Sequence, residues 1–194
     1  MKVMFDYFFA TVGLFISLPL LLLIGICIKL TSKGPIFYTQ ERIGRYGSIF
    51  TIIKFRSMTS GHGDNNTITI GGDLRITSLG RFLRKYKLDE LPELLNILKG
   101  EMSFVGPRPD LPGYADKLKG NNRKILALKP GITSRASLKY ANEEEILAKQ
   151  DNPTNYNNKV IYPDKIKMNL DYYYNNNLWI DIKIIFATIF RTGY

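Results

Sequence analysis

The chain has 194 residues and carries 27 Lys and Arg against 17 Asp and Glu, a formal net charge of +10. This length suits one domain with a modest core, and so basic a chain favours a polyanionic partner such as nucleic acid, anionic lipid or a phosphate-bearing ligand. With one cysteine, Cys27, and one histidine, His62, it can form neither an intrachain disulfide nor a Cys/His zinc site. His62 stands in a Gly/Asn-rich stretch and predicts a solvated loop residue.

The first predicted element is an apolar helix over residues 7–28, YFFATVGLFISLPLLLLIGICI, which no charge interrupts. As one straight helix it would extend roughly 33 Å, enough to cross a bilayer. A secretory signal peptide fits poorly, because the apolar core is too long, only Lys2 precedes it and no small-residue cleavage site follows. We therefore expect a permanent membrane element.

The sequence Ser17-Leu18-Pro19 falls near the middle of this apolar run. Proline removes a backbone donor and clashes with the preceding turn, and Ser17 can bond a freed carbonyl. Two limbs of about ten residues would each reach about 15 Å, so the run predicts either a kinked spanning helix or a re-entrant hairpin. Both topologies agree with the basic residues that follow, which place the downstream side in the cytoplasm: Lys29, Lys33, Arg42 and Arg45.

After a membrane segment over residues 1–30, residues 31–194 predict one small α/β domain that is mostly helical. SIFTIIKFRSM, at residues 48–58, is β-branched and aromatic and indicates a strand, on which Lys54 and Arg56 share a face. These two charges either keep an edge strand soluble or contact a ligand. In the last predicted helix an apolar stripe either packs on the domain or lies in the membrane interface: Ile182, Ile185, Phe186 and Ile189.

A mainly helical stretch over residues 76–102 contains two adjacent carboxylates, Asp89 and Glu90. One interpretation is structural: Asp89 caps a helix, Glu90 complements its dipole, and Pro92 is tolerated in the first turn. An apolar stripe for the core follows at helical spacing: Leu91, Leu94, Leu95 and Leu98.

The other interpretation makes the two carboxylates a reaction centre. Basic residues precede them, and further cations could converge on them: Arg81, Arg84, Lys85, Lys87, Lys54, Arg56 and Arg108. A helix N-terminus among Arg and Lys is an anion site, where a carboxylate stays ionised at neutral pH. It can bind Mg²⁺ beside a diphosphate or attack phosphorus itself. A membrane element beside such a site points to a lipid phosphate.

Three segments together resemble a known family: residues 30–58, LTSKGPIFYTQERIGRYGSIFTIIKFRSM; residues 88–109, LDELPELLNILKGEMSFVGPRP; and residues 129–133, KPGIT. They are similar to the bacterial sugar transferases, small monotopic polyprenyl-phosphate phosphoglycosyltransferases that prime capsule, O-antigen and glycoprotein glycan assembly. The resemblance runs from Met1 to the C-terminus, and the middle motif is highly specific. It implies transfer of a phosphosugar from a UDP-sugar to a polyprenol phosphate, usually undecaprenyl phosphate, with release of UMP at the cytoplasmic face of the bacterial inner membrane.

The resemblance also implies roles for individual residues. Asp89 would be the nucleophile that forms a covalent phosphosugar intermediate, and Glu90 would assist with Mg²⁺, which both carboxylates would bind. Ser17 and Pro19 resemble the helix break of the family and favour the re-entrant hairpin. The expected substrate-binding residues are basic, with two flanking prolines: Lys54, Arg56, Arg84, Arg108, Pro107 and Pro109.

One region departs from the family pattern. Many members continue PGITG with an aromatic residue and AQVNGRN, whereas this chain reads PGITSRASLKYANEEE, which places Ala141 where the family has arginine. Either the role of that arginine is missing or Arg135 or Lys139 takes it. An N-acetylated or amino-deoxy UDP-sugar is the expected donor. The chain also lacks the multi-span N-terminal region of the large members, which implies a minimal catalytic unit, and downstream glycosyltransferases are possible partners.

A second class of function is a membrane-tethered basic binding protein without turnover, bound to anionic lipid or nucleic acid. The sequence shows no helix-turn-helix signature, zinc finger or RNP-type aromatic strand, so no nucleic-acid partner is expected. A third is an idle scaffold for other glycan enzymes, against which the intact Asp-Glu pair argues.

Overall fold

The computed structural model describes residues 1–59 and 75–192, so the prediction for His62 lies outside the described residues. The described chain is mostly helical with small sheets, as predicted. Its helices are α1 (Lys2–Thr31), α2 (Ser78–Lys85), α3 (Glu93–Leu98), α4 (Arg135–Lys139), α5 (Glu143–Ala148), α6 (Pro153–Tyr156), α7 (Tyr162–Asn175) and α8 (Leu178–Phe190). Its strands are β1 (Phe37–Ile43), β2 (Ile49–Phe55), β3 (Ser103–Val105) and β4 (Gly131–Thr133). Short helical turns join them at Arg45–Gly47, Leu88–Glu90, Ala115–Lys117, Gly120–Ala127 and Asn157–Ile161.

Helix α1 contacts the rest of the chain along its whole length. At its start Lys2 Nζ donates to Val105 O across 3.0 Å, in its middle Ala10 is fully buried against the α3 core, and near its end Ile28 packs beside Phe55. Among the described residues it is the one helix long and apolar enough to cross a membrane. Its outer face leaves large apolar side chains exposed: Met4, Phe8, Phe9, Phe15, Ile16, Leu18, Leu22, Leu23, Ile26 and Leu30.

The predicted break at Pro19 does not divide α1, which is continuous from Lys2 to Thr31. Leu14, on one side of the proline, packs against the α3 core, and Leu21, on the other side, packs against the Phe55 cluster. These contacts stabilise the helix on both sides of Pro19, which has no backbone N–H to donate to the preceding turn. Ser17 Oγ donates to Leu14 O at 3.3 Å. Two separate limbs are not present here, and the hairpin stays a prediction.

Strands β1 and β2 form an antiparallel hairpin in which Tyr38 lies opposite Lys54. The predicted strand at residues 48–58 is therefore confirmed over Ile49–Phe55. Phe50 and Ile52 point into the core under α3, and the alternation of a strand directs Lys54 to the same face. The hairpin thus delivers Lys54 to the start of α3.

Strands β3 and β4 pair in parallel and bring the segments SFVGPRP and KPGIT together. The crossing is very close: a Cβ on Gly106 would lie 2.2 Å from Lys129 O, and one on Gly131 would lie 2.1 Å from Gly106 N. Only glycine fits both positions, because real Cβ atoms do not approach backbone atoms so closely. This contact fixes the chain just before Arg108.

Helix α8 buries a different face from the predicted one. Asp181, Ile184 and Ala187 are buried, whereas Phe186 is 57% exposed and Ile189 is 66% exposed. The predicted stripe therefore does not pack wholly on the domain, because the buried face is rotated toward β3 and α7. Contact with a membrane interface stays a prediction for these outward side chains.

Candidate active site

The two adjacent carboxylates lie in a single helical turn, Leu88–Glu90, between α2 and α3. Lys87, with φ 57°, adopts the left-handed conformation that ends the preceding helical segment. Pro92 is the N-cap of α3, so the prediction that Asp89 caps this helix is wrong. The physical reason is that Pro92 already has helical φ and starts the helix itself. Asp89 and Glu90 are both buried, at 7% exposure each.

Glu90 is held by two cations from distant parts of the chain. Its Oε1 accepts from Lys54 Nζ at 2.8 Å and from Arg108 Nη2 at 2.7 Å. Burial by itself would raise the pKa of Glu90, but Arg108 and Lys54 outweigh it and hold this pKa well below its usual range. Glu90 is therefore an ionised, fixed carboxylate.

Asp89 has the opposite environment. Its Oδ1 is buried and accepts no hydrogen bond from the described residues. Burial, and then the charge of Glu90, raise the pKa of Asp89, against the opposing charges of Lys54, Arg84 and Lys87. Of the cations expected around Asp89, Lys54 and Arg108 are bound to Glu90, and Arg84 is paired with Glu144. Two neighbouring carboxylates are thus differentiated: one is fixed by partners, and the other has an oxygen free to bind or react.

A third carboxylate, Glu93, belongs to the same cluster and was missed from the sequence. It is 2% exposed, and its Oε1 lies 3.0 Å from Lys54 Nζ. Burial raises the pKa of Glu93 to about 7, and the charge of Glu90 adds to this, whereas Lys54 opposes it. The spacing in the sequence could have identified it: Glu93 follows Glu90 by three positions and Asp89 by four, and residues at these spacings share one face of a helix.

Asn96, which is fully buried, fixes β2 against α3. Its Oδ1 accepts from Ile53 N at 3.1 Å, and its Nδ2 donates to Thr51 O and to Glu101 Oε2, each at 2.7 Å. The Asn96 amide therefore gives hydrogen-bond partners to backbone groups at the edge of β2 that would otherwise be buried without one. This clamp sets the distance between Lys54 and the carboxylates, and the sequence alone offered no sign of it.

The PRP segment supports Arg108 through its backbone. Pro107 O accepts from Gly131 N at 2.8 Å, and Pro109 O accepts from Arg42 Nη1 at 3.1 Å. The side chain of Arg108 is 45% exposed, so one side binds Glu90 and the other faces solvent. The two prolines thus hold the arginine at the site, and contact with a substrate stays a prediction for them.

Two other predicted basic residues have partners away from the carboxylates. Arg56 is buried, and its Nη2 donates to Ser32 O at 2.9 Å and to Ser32 Oγ at 2.7 Å, at the C-terminus of α1. Arg84 donates to Glu144 on α5. Arg84 still lies close enough to influence Asp89 electrostatically, whereas Arg56 connects the C-terminus of α1 to the end of β2.

Arg135 and Lys139 were the two candidates to replace the family arginine. Among the described residues, neither forms a hydrogen bond with Asp89 or Glu90. Arg135 Nη1 donates to Asp171 Oδ2 at 2.6 Å, and Lys139 Nζ donates to Asp164 Oδ2 at 2.7 Å. Both acceptors lie on α7. These contacts connect α4 to α7. The segment that differs from the family pattern therefore has a structural role here.

The carboxylates fit a magnesium ion only if the substrate completes its coordination. Within residues 1–59 and 75–192 no group of three or more His, Cys, Asp or Glu side chains could hold a metal ion. The free Oδ1 of Asp89 is a hard oxygen ligand, as Mg²⁺ prefers, and Glu90 stands beside it. Mg²⁺ is typically bound by one or two carboxylates together with substrate phosphates and water, and this donor set matches that pattern.

Comparison with known proteins shows the family of this chain. The bacterial sugar transferase family model matches residues 1–193. The chain is 35% identical over 191 residues to the UDP-glucose:undecaprenyl-phosphate glucose-1-phosphate transferase of Klebsiella pneumoniae, covering 96% of this chain and 38% of that protein. It is 33% identical over 193 residues to the UDP-N-acetylgalactosamine-undecaprenyl-phosphate N-acetylgalactosaminephosphotransferase of Aeromonas hydrophila, covering 95% and 41%.

The chain spans about two fifths of the length of these two relatives. The matched part nevertheless includes both carboxylates and every cation described above. On the match over residues 1–193, this chain belongs to the bacterial sugar transferase family.

Proposed function

We propose that this protein transfers a phosphosugar from a UDP-sugar to a polyprenol phosphate, such as undecaprenyl phosphate, and releases UMP. This would be the initiating step of a membrane-associated glycan or polysaccharide. The observation that carries the proposal is the unpartnered Oδ1 of Asp89, beside a Glu90 fixed by Lys54 and Arg108. The names of the relatives support the two substrate classes.

The reaction has two displacements at one phosphorus atom. Oδ1 of Asp89 attacks the sugar-bearing phosphorus, the bond to the bridging oxygen breaks, and UMP leaves with that oxygen. A phosphate oxygen of the polyprenol phosphate then attacks the same phosphorus and releases the Asp89 carboxylate. The raised pKa of Asp89 favours the first step, because a more basic carboxylate is a better nucleophile once it is ionised.

The surrounding charges prepare this site for an anionic substrate. Lys54 and Arg108 neutralise Glu90, which would otherwise repel the diphosphate beside Asp89. The solvent-facing side of Arg108 is placed to contact a phosphate or the nucleotide. Asp89 and Glu90 would hold Mg²⁺, which would supply charge neutralisation of the diphosphate when bound.

The donor sugar is proposed to be N-acetylated or amino-deoxy. The relatives named above act on glucose in one case and on N-acetylgalactosamine in the other, at 35% and 33% identity. These identities are too similar to select between the two sugars. The donor panel for any assay therefore includes both classes.

We further propose that the protein is monotopic and lies on the cytoplasmic face of the bacterial inner membrane. The support is that α1 contacts the domain near both of its ends, through Lys2 and through Ile28, while its opposite face is apolar and exposed. A helix that left the domain to cross a bilayer would bury only the end nearest the domain. The outward aromatic side chains of α8 would lie in the interface.

The test is the mass of the intact protein in lipid nanodiscs with Mg²⁺ and a panel of UDP-sugars, without polyprenol phosphate. The wild type is expected to gain the mass of one phosphosugar, and Asp89→Asn is expected to gain none. Asp151→Asn, at an exposed site, serves as the matched control and is expected to behave as wild type. The productive donor also names the sugar.

Other results would separate the alternatives. UMP release only after polyprenol phosphate is added, with no mass gain, would replace the covalent intermediate by direct transfer. Full turnover by Asp89→Asn would remove the nucleophile assignment. No turnover with any donor, together with tight binding to anionic vesicles, would favour the membrane-tethered binding protein.

A further inference from the structure

Apart from its ion pair with Lys54, no contact among the described residues accounts for the burial of Glu93. It lies in the first turn of α3, where an exposed carboxylate would complement the helix dipole equally well. Its side chain is instead almost fully buried, and a buried carboxylate is destabilising unless a partner compensates its charge. Its Oε1 accepts no hydrogen bond from the described residues. The compensating partner is the ammonium of Lys54, at 3.0 Å.

Lys54 is therefore held between two buried carboxylates. Its Nζ lies 2.8 Å from Glu90 Oε1 and 3.0 Å from Glu93 Oε1, and its side chain is only 15% exposed. Glu90 has a second cation in direct contact, Arg108. Among the described residues, Lys54 is the one cation at ion-pair distance from Glu93, and Arg108 acts on Glu93 from farther away. With Glu90 alone, the flexible lysine would be free to rotate about that one contact. Glu93 supplies the second point that fixes it.

We propose that Glu93 is a positioning residue, which holds the Lys54 ammonium beside Glu90 and keeps it from moving onto the bound donor. The proposal rests on the transferase function given above. The proposal predicts that loss of Glu93 slows turnover without weakening the binding of the donor. A lysine released from Glu93 moves toward the anionic donor and stabilises the bound state, but no longer supports the arrangement in which Asp89 reacts.

The first test does not depend on activity. The full chain in nanodiscs is treated with an acetylating N-hydroxysuccinimide ester, and the labelling rate of each lysine is read by peptide mass spectrometry. In Glu93→Gln the rate at Lys54 is expected to rise several-fold, because the reagent reaches an ammonium with one partner fewer. The rate at Lys139, on α4, is expected to stay unchanged. An unchanged rate at Lys54 would overturn the proposal.

Glu143→Gln is the matched control, since Glu143 pairs with Lys165 at 2.6 Å outside the site. It is expected to expose Lys165 to the reagent and to leave Lys54 as in wild type. Glu93→Asp is the second variant if Glu93→Gln does not fold. Its shorter side chain keeps the charge but retracts the oxygen, so labelling at Lys54 is again expected to rise.

The second test is kinetic. For Glu93→Gln, kcat is expected to fall about ten- to a hundredfold while KM for the UDP-sugar does not rise. In a double-mutant cycle with Lys54→Met, the double variant is expected to be no slower than Lys54→Met alone, because Glu93 acts through Lys54. Additive losses, or a raised KM with unchanged kcat, would overturn the proposal. An inactive wild type would count against the transferase function, whereas the labelling result would still decide whether Glu93 holds Lys54 in place.

Discussion

Arg108 Nη2 donates to Glu90 Oε1 across 2.7 Å, between residues that are 18 positions apart in the sequence. This bond joins the PRP segment to the turn that carries the carboxylates. It depends on the close pairing of β3 with β4, which fixes the chain just before Arg108. The charge environment of Glu90 is therefore a product of the fold and not of the local sequence.

Removal of Arg108 is expected to weaken the reaction more than removal of an ordinary surface arginine. In Arg108→Ala, Glu90 keeps its hydrogen bond from Lys54 but loses the one from Arg108, and such a charge-assisted hydrogen bond is worth about 1.5–3 kcal/mol. UMP release is expected to fall about ten- to a hundredfold, with partial recovery in Arg108→Lys. Arg123→Ala is the control, at an exposed position in the turn over Gly120–Ala127. Equal rates in all three variants would contradict the placement of Arg108 in the site.

The pH dependence of stability is expected to change in Asp110→Asn. Burial raises the pKa of Asp110 to about 6, although Tyr162 donates to it at 3.2 Å. A carboxyl group whose pKa is higher in the folded state stabilises the fold fully below its unfolded pKa. That contribution is lost as the pH rises through the folded pKa, because the unfolded chain ionises first. Wild type is thus expected to lose up to about 3 kcal/mol between pH 4 and pH 7 through this group.

Thermal unfolding of both proteins at several pH values between 4 and 7 measures this effect. The difference in stability between Asp110→Asn and wild type is expected to shift in favour of the variant as the pH rises. A constant difference across this range would show that Asp110 titrates normally.

The close approach of β3 and β4 predicts a strong effect of a single methyl group. In Gly131→Ala the new Cβ would lie 2.1 Å from Gly106 N, so the strands must separate, at a cost of about 2 kcal/mol or more. Gly13→Ala in α1 is the control, because its Cβ would make an ordinary 3.6 Å contact with Leu94. The melting temperature is expected to fall for Gly131→Ala and to stay level or rise for Gly13→Ala. Equal shifts would contradict the close crossing.

The attachment of the start of α1 is expected to depend on Lys2. Its Nζ forms an ion pair with Asp181, a residue that is 2% exposed and also accepts from Tyr172. Lys2→Met leaves this buried carboxylate without its cation, which is expected to cost about 3 kcal/mol. Limited proteolysis in nanodiscs would then detect a released N-terminus. Lys33→Met, on the exposed segment after α1, is the control, and a comparable effect there would contradict the attachment.

Local signals in the sequence predicted several features that the structure contains. The β-branched run over residues 48–58 identified β2, because alternation and residue type are properties of the strand itself. The apolar run predicted the long helix α1, and the segment LDELPELLNILKGEMSFVGPRP identified the family. The assignment of Asp89 and Glu90 as a reaction centre stays a prediction, and the unpartnered Oδ1 of Asp89 supports it.

By itself the sequence determined the residue types available to the site: adjacent carboxylates, a lysine two residues before an arginine, and an arginine between prolines. Only the tertiary structure decided which of them meet. Lys54 and Arg108 reach Glu90 and Arg56 does not, because the Asn96 clamp and the β3–β4 crossing set those distances. Glu93 joins the cluster for the same reason. Such contacts between distant segments depend on the packing of whole elements, and no local pattern encodes them.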